Sequence, residues 1–314
     1  MINPEFTIVI CTFNRAPILA ICISSILDQL DKSLPFEILV IDNNSTDNTS
    51  SLVLNLAKTN PTLRLVKEQK QGLSYARNRA YQETKTPWLV YIDDDAKLNE
   101  GYCNQLIKLI QEDKFDCFGG LYTAWYFYGK PSWLPDEFGN KKLLRSDIGY
   151  IDGSKGWLSG GNFAIKKSIL EKIGGFNPEL GMSGLKTGYG EEDYLQKTII
   201  NYGYKIGFDP NLIIEHAVMP HKLKLWWHLK SSFARGKVKE KMRCEKKGVR
   251  YSAIKLTQNL LGLFIKRLPI AIWFIFRKKE YYWQNLVLDS LNPVFVSLGA
   301  LHHATRLKIE NHIQ

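Results

Sequence analysis

Cysteine is sparse and shows no framework. Cys11, Cys22, Cys103, Cys117 and Cys244 form no CxxC pair and no other zinc-ligand spacing. An odd, scattered set argues against structural disulfides and for a reducing compartment. The opening residues, Met1-Ile2-Asn3-Pro4-Glu5, carry neither a basic segment nor a long apolar run, so no signal peptide is expected. The most apolar stretch, Leu260 to Phe276, is interrupted by Lys266, Arg267 and Pro269. A membrane-crossing helix wants about 20 apolar residues in succession, so an interfacial or re-entrant segment is the expectation. No internal repeat and no low-complexity stretch is present, and the basic regions lack a zinc-finger spacing or an aromatic RNA-binding signature.

What the chain does have is length, a core and a divided charge. Its 314 residues are 45% hydrophobic, enough for one large α/β domain or a domain with an appendage. The net charge of +11 is unevenly spread. From His221 onward there are 19 of the 42 Lys and Arg but only 5 of the 31 Asp and Glu, a net +14. The first 220 residues keep 23 basic and 26 acidic side chains, a net −3. Residues 1–219 therefore read as one domain and 220–314 as a basic, aromatic-rich helical tail. Such tails seek anionic lipid or nucleic acid.

Strand and helix patterns alternate through the first half. Phe6 to Cys11, Phe36 to Ile41, Leu63 to Val66 and Trp88 to Ile92 read as strands, with helices predicted from about Pro17 to Leu30, near Leu52, and from Gly72 to Thr84. This alternation predicts βαβ units and a mostly parallel sheet. Ligands of open α/β sheets bind beyond the carboxyl ends of the strands, where Thr12, Asp42, Glu68 and Asp93 all fall. Phe118 to Lys155 shows no periodicity and reads as a long loop region with aromatic faces, among them Trp125, Tyr126 and Trp133, that suit sugar rings or equally pack under the loop.

The run Pro87 to Ile92 ends in Asp93-Asp94-Asp95. Three like charges at the end of a buried strand need a positive partner, and divalent ions such as Mg2+ or Mn2+ favour carboxylate oxygens. The bland alternative is a solvated turn capping the next helix. Thr12-Phe13-Asn14-Arg15 follows the first strand, where Arg15 can meet phosphate, although Thr12 or Asn14 also suits a helix cap. Asp42 can accept hydrogen bonds from a nucleobase. Trp157-Leu158-Ser159-Gly160-Gly161-Asn162 places two glycines in a strand-like setting, as a close approach or a bulge requires. Glu191-Glu192-Asp193 opens a periodic helix, which the macrodipole alone would favour. His216 closes the apolar run Ile213-Ile214-Glu215, where it can be structural or complete a metal site.

In this order and spacing, the segment from Phe6 to Ala217 resembles the family 2 glycosyltransferases, which have the GT-A fold. The stretch Ile173-Gly174-Gly175-Phe176-Asn177, ahead of the acidic pair, matches the same pattern. The resemblance implies an α/β, Rossmann-like, mostly parallel sheet flanked by helices, followed here by the basic amphipathic tail. It implies that Thr12, Asn14, Arg15 and Asp42 line the nucleotide pocket and that Arg77 sits near the pyrophosphate. Asp93 would contact the ribose or the metal shell, Asp95 would bind Mn2+ or Mg2+, and His216 would add a metal or phosphate contact. Asp193 would be the catalytic base, with Glu192 binding the acceptor or replacing it in that role. Trp157, Gly160, Gly161 and Asn162 would face the sugar or acceptor. Asp94 departs from the commoner DxD form, which leaves open whether it too reaches the metal.

The expected reaction is inverting transfer from a nucleotide-sugar, with UDP the favoured base, to a glycan or lipid-linked hydroxyl. A nucleotidyltransferase of similar fold would carry a Gly-rich basic loop after the first strand, which Thr12 to Arg15 is not. Nucleic acid is not an expected partner, because binding through the tail would leave the acidic half without a purpose. In the tail, Lys222 to Lys247 interleaves Lys and Arg with Trp226, Trp227, Leu229 and Phe233, a pattern suited to an anionic membrane surface or to packing on the catalytic domain. A cytoplasmic protein, peripheral on the cytoplasmic membrane face, is the expectation. Tyr281 to Leu301 reads as interrupted by Asp289, Asn292 and Pro293.

Overall fold

The structure, a computed structural model, describes residues 5–30, 36–184, 188–241 and 248–313. Cys244 and the end of the basic stretch at Lys247 lie outside the described residues. The chain forms two compact units. One comprises residues 1–125, 139–186 and 190–217, and the other 126–138, 187–189 and 218–314. Residues 126–138, which the sequence placed with the first domain, cluster with the second unit.

In the first unit, β1 (Phe6–Thr12), α1 (Ala16–Leu27), β2 (Phe36–Asp42), α2 (Thr49–Ala57), β3 (Leu63–Lys67), α3 (Leu73–Glu83) and β4 (Trp88–Asp93) alternate as the sequence predicts. They are followed by β5 (Ala96–Leu98), α4 (Tyr102–Glu112), β6 (Cys117–Trp125), β7 (Gly149–Ile151), β8 (Asn162–Lys166), α5 (Lys167–Ile173), α6 (Glu191–Asn201) and β9 (Ile206–Ala217). The nine strands form one mixed sheet in the order β3-β2-β1-β4-β8-β6-β9-β5, with β7 paired to β9. β3, β2, β1 and β4 are parallel, and β8 turns the sheet antiparallel against β4.

The apolar runs make this sheet because both of its faces are covered. Along β1, Ile8 and Ile10 enter one core cluster and Val9 the other, and Val90 with Ile92 and Leu89 with Tyr91 divide likewise along β4. Central strands buried on two sides need continuous Val, Ile and Leu rather than alternation. Adjacent registers bring Thr12 beside Asp42 and Cys11 beside Asp93, so the polar ends of β1, β2 and β4 converge on one edge.

The stretch from Phe118 to Lys155 is not loop throughout, because β6 runs into it and β7 lies within it. Glycines disguised β6. A Cβ on Gly119 would collide with the Asn162 carbonyl, and one on Gly120 with the Leu212 carbonyl. These positions need glycine for close strand approach, and the register slips immediately after Gly120.

The second unit is helical: α7 (Leu225–Lys241), α8 (Gly248–Gly262), α9 (Leu268–Arg277) and α10 (Trp283–Ile313), with a single π turn, Leu263–Arg267, joining α8 to α9. The interruptions read from sequence do not break these helices. Pro269 enters just after the π turn, in the first turn of α9, where its missing N–H is tolerated. Gly248–Arg277 is thus one continuous 30-residue helical run, long and apolar enough to cross a membrane by length and composition, and the sole such run among the described residues. Pro293 lies inside α10, which nevertheless continues. Packing holds it there. A Cβ on Gly236 would strike the Val296 carbonyl and one on Gly299 the Phe233 carbonyl, so α7 and α10 cross backbone to backbone. The other supposed breakers are bonded, Asn292 to the Ser232 hydroxyl at 2.9 Å and Asp289 to the Tyr281 hydroxyl at 2.7 Å.

Candidate active site

Two acidic triplets lie in the first unit, and Arg77 pairs with an acid of each. At the end of β4, Asp93, Asp95 and His216 bring one ligand atom each to within 4.8 Å of one another. His216 is placed by the antiparallel pairing of β9 with β5, directly across from Ala96. Its Nε2 lies 2.8 Å from Asp95 Oδ1 and 3.9 Å from Asp93 Oδ2. The Tyr122 hydroxyl donates to Asp93 Oδ2 at 3.1 Å, and its ring packs 4.5 Å from the His216 ring. Sequence reading missed Tyr122, because it lay in the stretch taken as loop.

The positive charge that these acids need is supplied in part by the chain itself. Arg15 Nη1 sits 2.8 Å from Asp94 Oδ1 and 2.5 Å from Asp95 Oδ2. The Arg15 guanidinium, which a phosphate could also engage, is held here by carboxylates. The left-handed Asn14 (φ +53°), a conformation Asn tolerates, turns the chain so that Arg15 can reach them. Burial pushes the Asp94 carboxyl up to about 6, against the pull of Arg15. Asp94 and Asp95 are buried, whereas the Asp93 side chain is 30% exposed. Two carboxylates and an imidazole with one open side fit a six-coordinate, oxygen-preferring divalent ion such as Mn2+ or Mg2+. The extra acid, Asp94, faces Arg15.

The second triplet opens α6. Arg77, fully within the core, joins the two triplets. Its Nη1 is 3.1 Å from Glu191 Oε1, and its Nη2 is 3.9 Å from Asp93 Oδ1 and donates to the Gly160 carbonyl at 3.0 Å. Gly160 and Gly161 are required here. A Cβ on Gly160 would press on the Arg77 guanidinium at 2.7 Å, and one on Gly161 would collide with the Asp93 carboxylate. The close approach expected of these glycines is therefore to the chain's own charged groups.

Within α6 the three acids differ. Burial and the neighbouring Glu192 charge push Glu191 well above the carboxylate range, despite Arg77. Burial also acts against the Glu192 carboxylate, but a hydrogen bond from Glu191 and the Arg77 charge outweigh it and lower its pKa. Asp193 is raised by burial and by Glu192, with Lys141 and Lys197 opposing. A carboxylate raised in this way is a better proton acceptor at neutral pH than an ordinary aspartate. Glu191 was not among the residues singled out from sequence. The signal was available: it lies four and eight residues before Leu195 and Ile199, on the buried face of α6.

At the ends of β2 and β3, a cavity of about 340 Å³ is lined by Asp42, Asn44, Ser45, Lys67, Glu68 and Gln69. Asp42 forms one wall, held by the Ser45 amide at 2.9 Å and by the Ser50 hydroxyl. Thr12, buried at the end of β1, pairs in register with it. Asn14 is committed elsewhere, for its Oδ1 accepts from the Thr46 amide at 2.7 Å and its Nδ2 donates to the Thr46 hydroxyl at 3.2 Å. Asn162 is likewise structural. Its Nδ2 donates to the Leu121 and Leu212 carbonyls, both at 3.0 Å, and its Oδ1 accepts from Tyr102 at 2.7 Å. Its side chain is spent closing the sheet and is not free to meet a sugar. Trp157 packs, half-buried, against the core cluster on its side of the sheet.

The Gly174-Gly175-Phe176 segment ends α5 with two left-handed glycines (φ +81° and +74°). Asn78 on α3 clamps it by bonding the Phe176 amide and carbonyl, both at 2.8 Å.

Comparison with known proteins gives the family and the fold. The family model described as Glycosyl transferase family 2 matches residues 7–174. The chain is 33% identical over 172 residues to the GalNAc(5)-diNAcBac-PP-undecaprenol beta-1,3-glucosyltransferase of Campylobacter jejuni, covering 54% of this chain and 53% of that protein. It is 21% identical over 303 residues to the probable glycosyltransferase YdaM of Bacillus subtilis, covering 93% of this chain and 66% of that one. The chain thus spans between half and two thirds of these curated relatives. Among solved structures, the mannosyltransferase PcManGT from Pyrobaculum calidifontis, in complex with GDP-Man and Mn2+, aligns with a TM-score of 0.57 at 19% identity, over 99% of this chain and 80% of that one. That likeness concerns the fold.

Proposed function

The chain belongs to glycosyl transferase family 2 and has the GT-A fold, and from that premise we propose that it transfers a sugar from a nucleoside diphosphate sugar to a hydroxyl of a lipid-linked glycan, inverting the anomeric carbon. The observation that carries this reading is the pairing of the Asp93, Asp95 and His216 cluster with the α6 acids through Arg77. In it, Asp93, Asp95 and His216 would hold a divalent ion, Mn2+ by likeness to the solved mannosyltransferase or else Mg2+. Bound there, such an ion neutralises the negative charge that grows on the departing diphosphate.

The chain's own groups do the rest. The nucleoside enters at the ends of β1 and β2, with Thr12 and Asp42 as its walls and UDP as the favoured carrier. Arg15, beside Asp94 and Asp95, supplies cationic N–H groups to the diphosphate, and Arg77, buried between the two triplets, adds positive charge behind it. Asp193 accepts the proton of the acceptor hydroxyl as its oxygen bonds to the anomeric carbon. The bond from that carbon to the diphosphate oxygen breaks on the opposite face, and one displacement inverts the configuration. Glu192, held ionised beside Arg77, orients the acceptor. A lipid-linked acceptor follows the undecaprenol-linked substrate of the Campylobacter relative and the net +14 beyond residue 220. It would place the protein on the cytoplasmic face of an anionic membrane.

A thermal-shift panel of UDP, GDP, dTDP and CMP, each with and without Mn2+, tests the reading. Stabilisation by one diphosphate only with the metal supports it and names the base, because a ligand selective for the native state raises stability by mass action. A folded sample that responds to none of them contradicts it.

A further inference from the structure

The helical unit carries an apolar face left open among the described residues. Along α8, the π turn and α9, a stripe including Ser252, Leu263 and Ala271 is buried, and α10 packs on this side. Asn259 donates to Ser297 of α10 at 2.7 Å, and Arg267 reaches the Asn259 and Ser290 carbonyls. The opposite side is open and apolar, with Phe264 at 67%, Ile265 at 78% and Phe276 at 82% exposure, and with Leu261 and Trp273 beside them. Apolar side chains of this size, exposed together on one side of a helix, mark a docking surface rather than ordinary solvent contact.

The charges around it say what docks. Lys266 lies within the face, and Arg277, Lys278 and Lys279 close its end, with Glu280 as the single acid among residues 260–280. Apolar anchors ringed by Lys and Arg, with Trp at the margin, match the headgroup layer of an anionic bilayer. The charges, not the length, oppose a full span. The run Gly248–Arg277 is long enough to cross, but Arg250, Lys255 and Arg267 lie along it and α10 packs on one of its sides. Lys266 would also lie in mid-membrane at a cost, whereas at the interface its stem can lie along apolar groups while its ammonium stays wet.

We infer that the open face of α8 and α9 lies flat in one leaflet of an anionic membrane, with Phe264, Ile265 and Phe276 as its anchors. This rests on the proposed lipid-linked acceptor and supplies the surface on which such an acceptor is met.

The experiment is co-sedimentation of the full chain with vesicles of phosphatidylcholine alone or mixed with phosphatidylglycerol, alongside the UDP and Mn2+ thermal shift. The wild type should pellet with the mixed vesicles and far less with the neutral ones. Joint replacement Phe264→Ser, Ile265→Ser and Phe276→Ser should lower partitioning by about tenfold or more for each side chain withdrawn from lipid. Lys278→Glu with Lys279→Glu should lower it by about 30-fold or more at low salt, a gap that closes as salt screens the surface. These side chains are exposed, so the nucleotide response should persist in both variants; its loss in the wild type would count against the transferase reading alone. A wild type that ignores mixed vesicles, or a serine variant that pellets equally well, overturns the inference. So does a dimer in detergent-free light scattering that the serine variant dissolves, which would give the face to a second copy. Resistance of the membrane-bound protein to alkaline carbonate would overturn it in favour of a span.

Discussion

Asp93-Asp94-Asp95 closes a strand, whereas Glu191-Glu192-Asp193 opens a helix, and the two triplets relieve the same repulsion by different means. The strand-end triplet has a cation on hand, Arg15, and an imidazole at 2.8 Å, and leaves the Asp93 side open. The helix-start triplet relies on protonation. Its first acid is raised enough to stay largely neutral near pH 7, while its second keeps its charge beside Arg77 and the helix N-terminus. An acid cluster that answers repulsion with cations is ready to bind another. One that answers with pKa shifts is ready to move protons. Arg77, touching both, ties the two halves together.

The comparison can be broken at several points, from the largest expected effect to the smallest. Asp193→Asn should cut turnover by about 10²–10⁴-fold, the usual worth of a general base, and steady-state transfer assays would show it. A variant with near wild-type turnover would remove Asp193 from that role. Gly161→Ala drives a methyl into the Asp93 carboxylate and should cost about 1–3 kcal/mol by denaturant unfolding, as overpacking does. Gly160→Ala should cost less, because the guanidinium end of Arg77 can give way. Glu191→Gln should act through pH. A carboxyl whose pKa rises on folding holds its proton more tightly in the folded state. Its contribution to stability therefore falls as pH climbs from the ordinary 4.5 to about 8 and is level beyond. The Gln variant lacks that slope, so its melting temperature should fall less than that of the wild type across this window. Parallel melting curves would show that Glu191 is not held neutral.

Much of this was legible in the residues. The first four strands were, because parallel strands covered on both faces must be apolar throughout. So was the convergence of Thr12, Asp42 and Asp93, which follows from strand ends alone. What stayed hidden depended on distant partners. Arg15 could be placed after β1, but nothing local says that its guanidinium also meets a carboxylate 79 residues away. Asn162 looked free for a ligand, and only the bulged sheet reveals the carbonyls that consume it. Pro293 reads as a stop by local rules, yet the Gly236 and Gly299 crossing holds α10 through it. Glu191 was overlooked because acids at a helix start are so readily explained by the dipole, although its spacing to Leu195 and Ile199 pointed inward.

The division of labour between the triplets is tested most directly by calorimetric titration of Mn2+ and UDP into the wild type, Asp95→Asn and Asp193→Asn. The account predicts that Asp95→Asn loses metal-dependent nucleotide binding by about 10²-fold or more, in the range for removing one preorganised electrostatic partner, while Asp193→Asn binds like the wild type. Equal losses in both variants, or undiminished binding by Asp95→Asn, would contradict it.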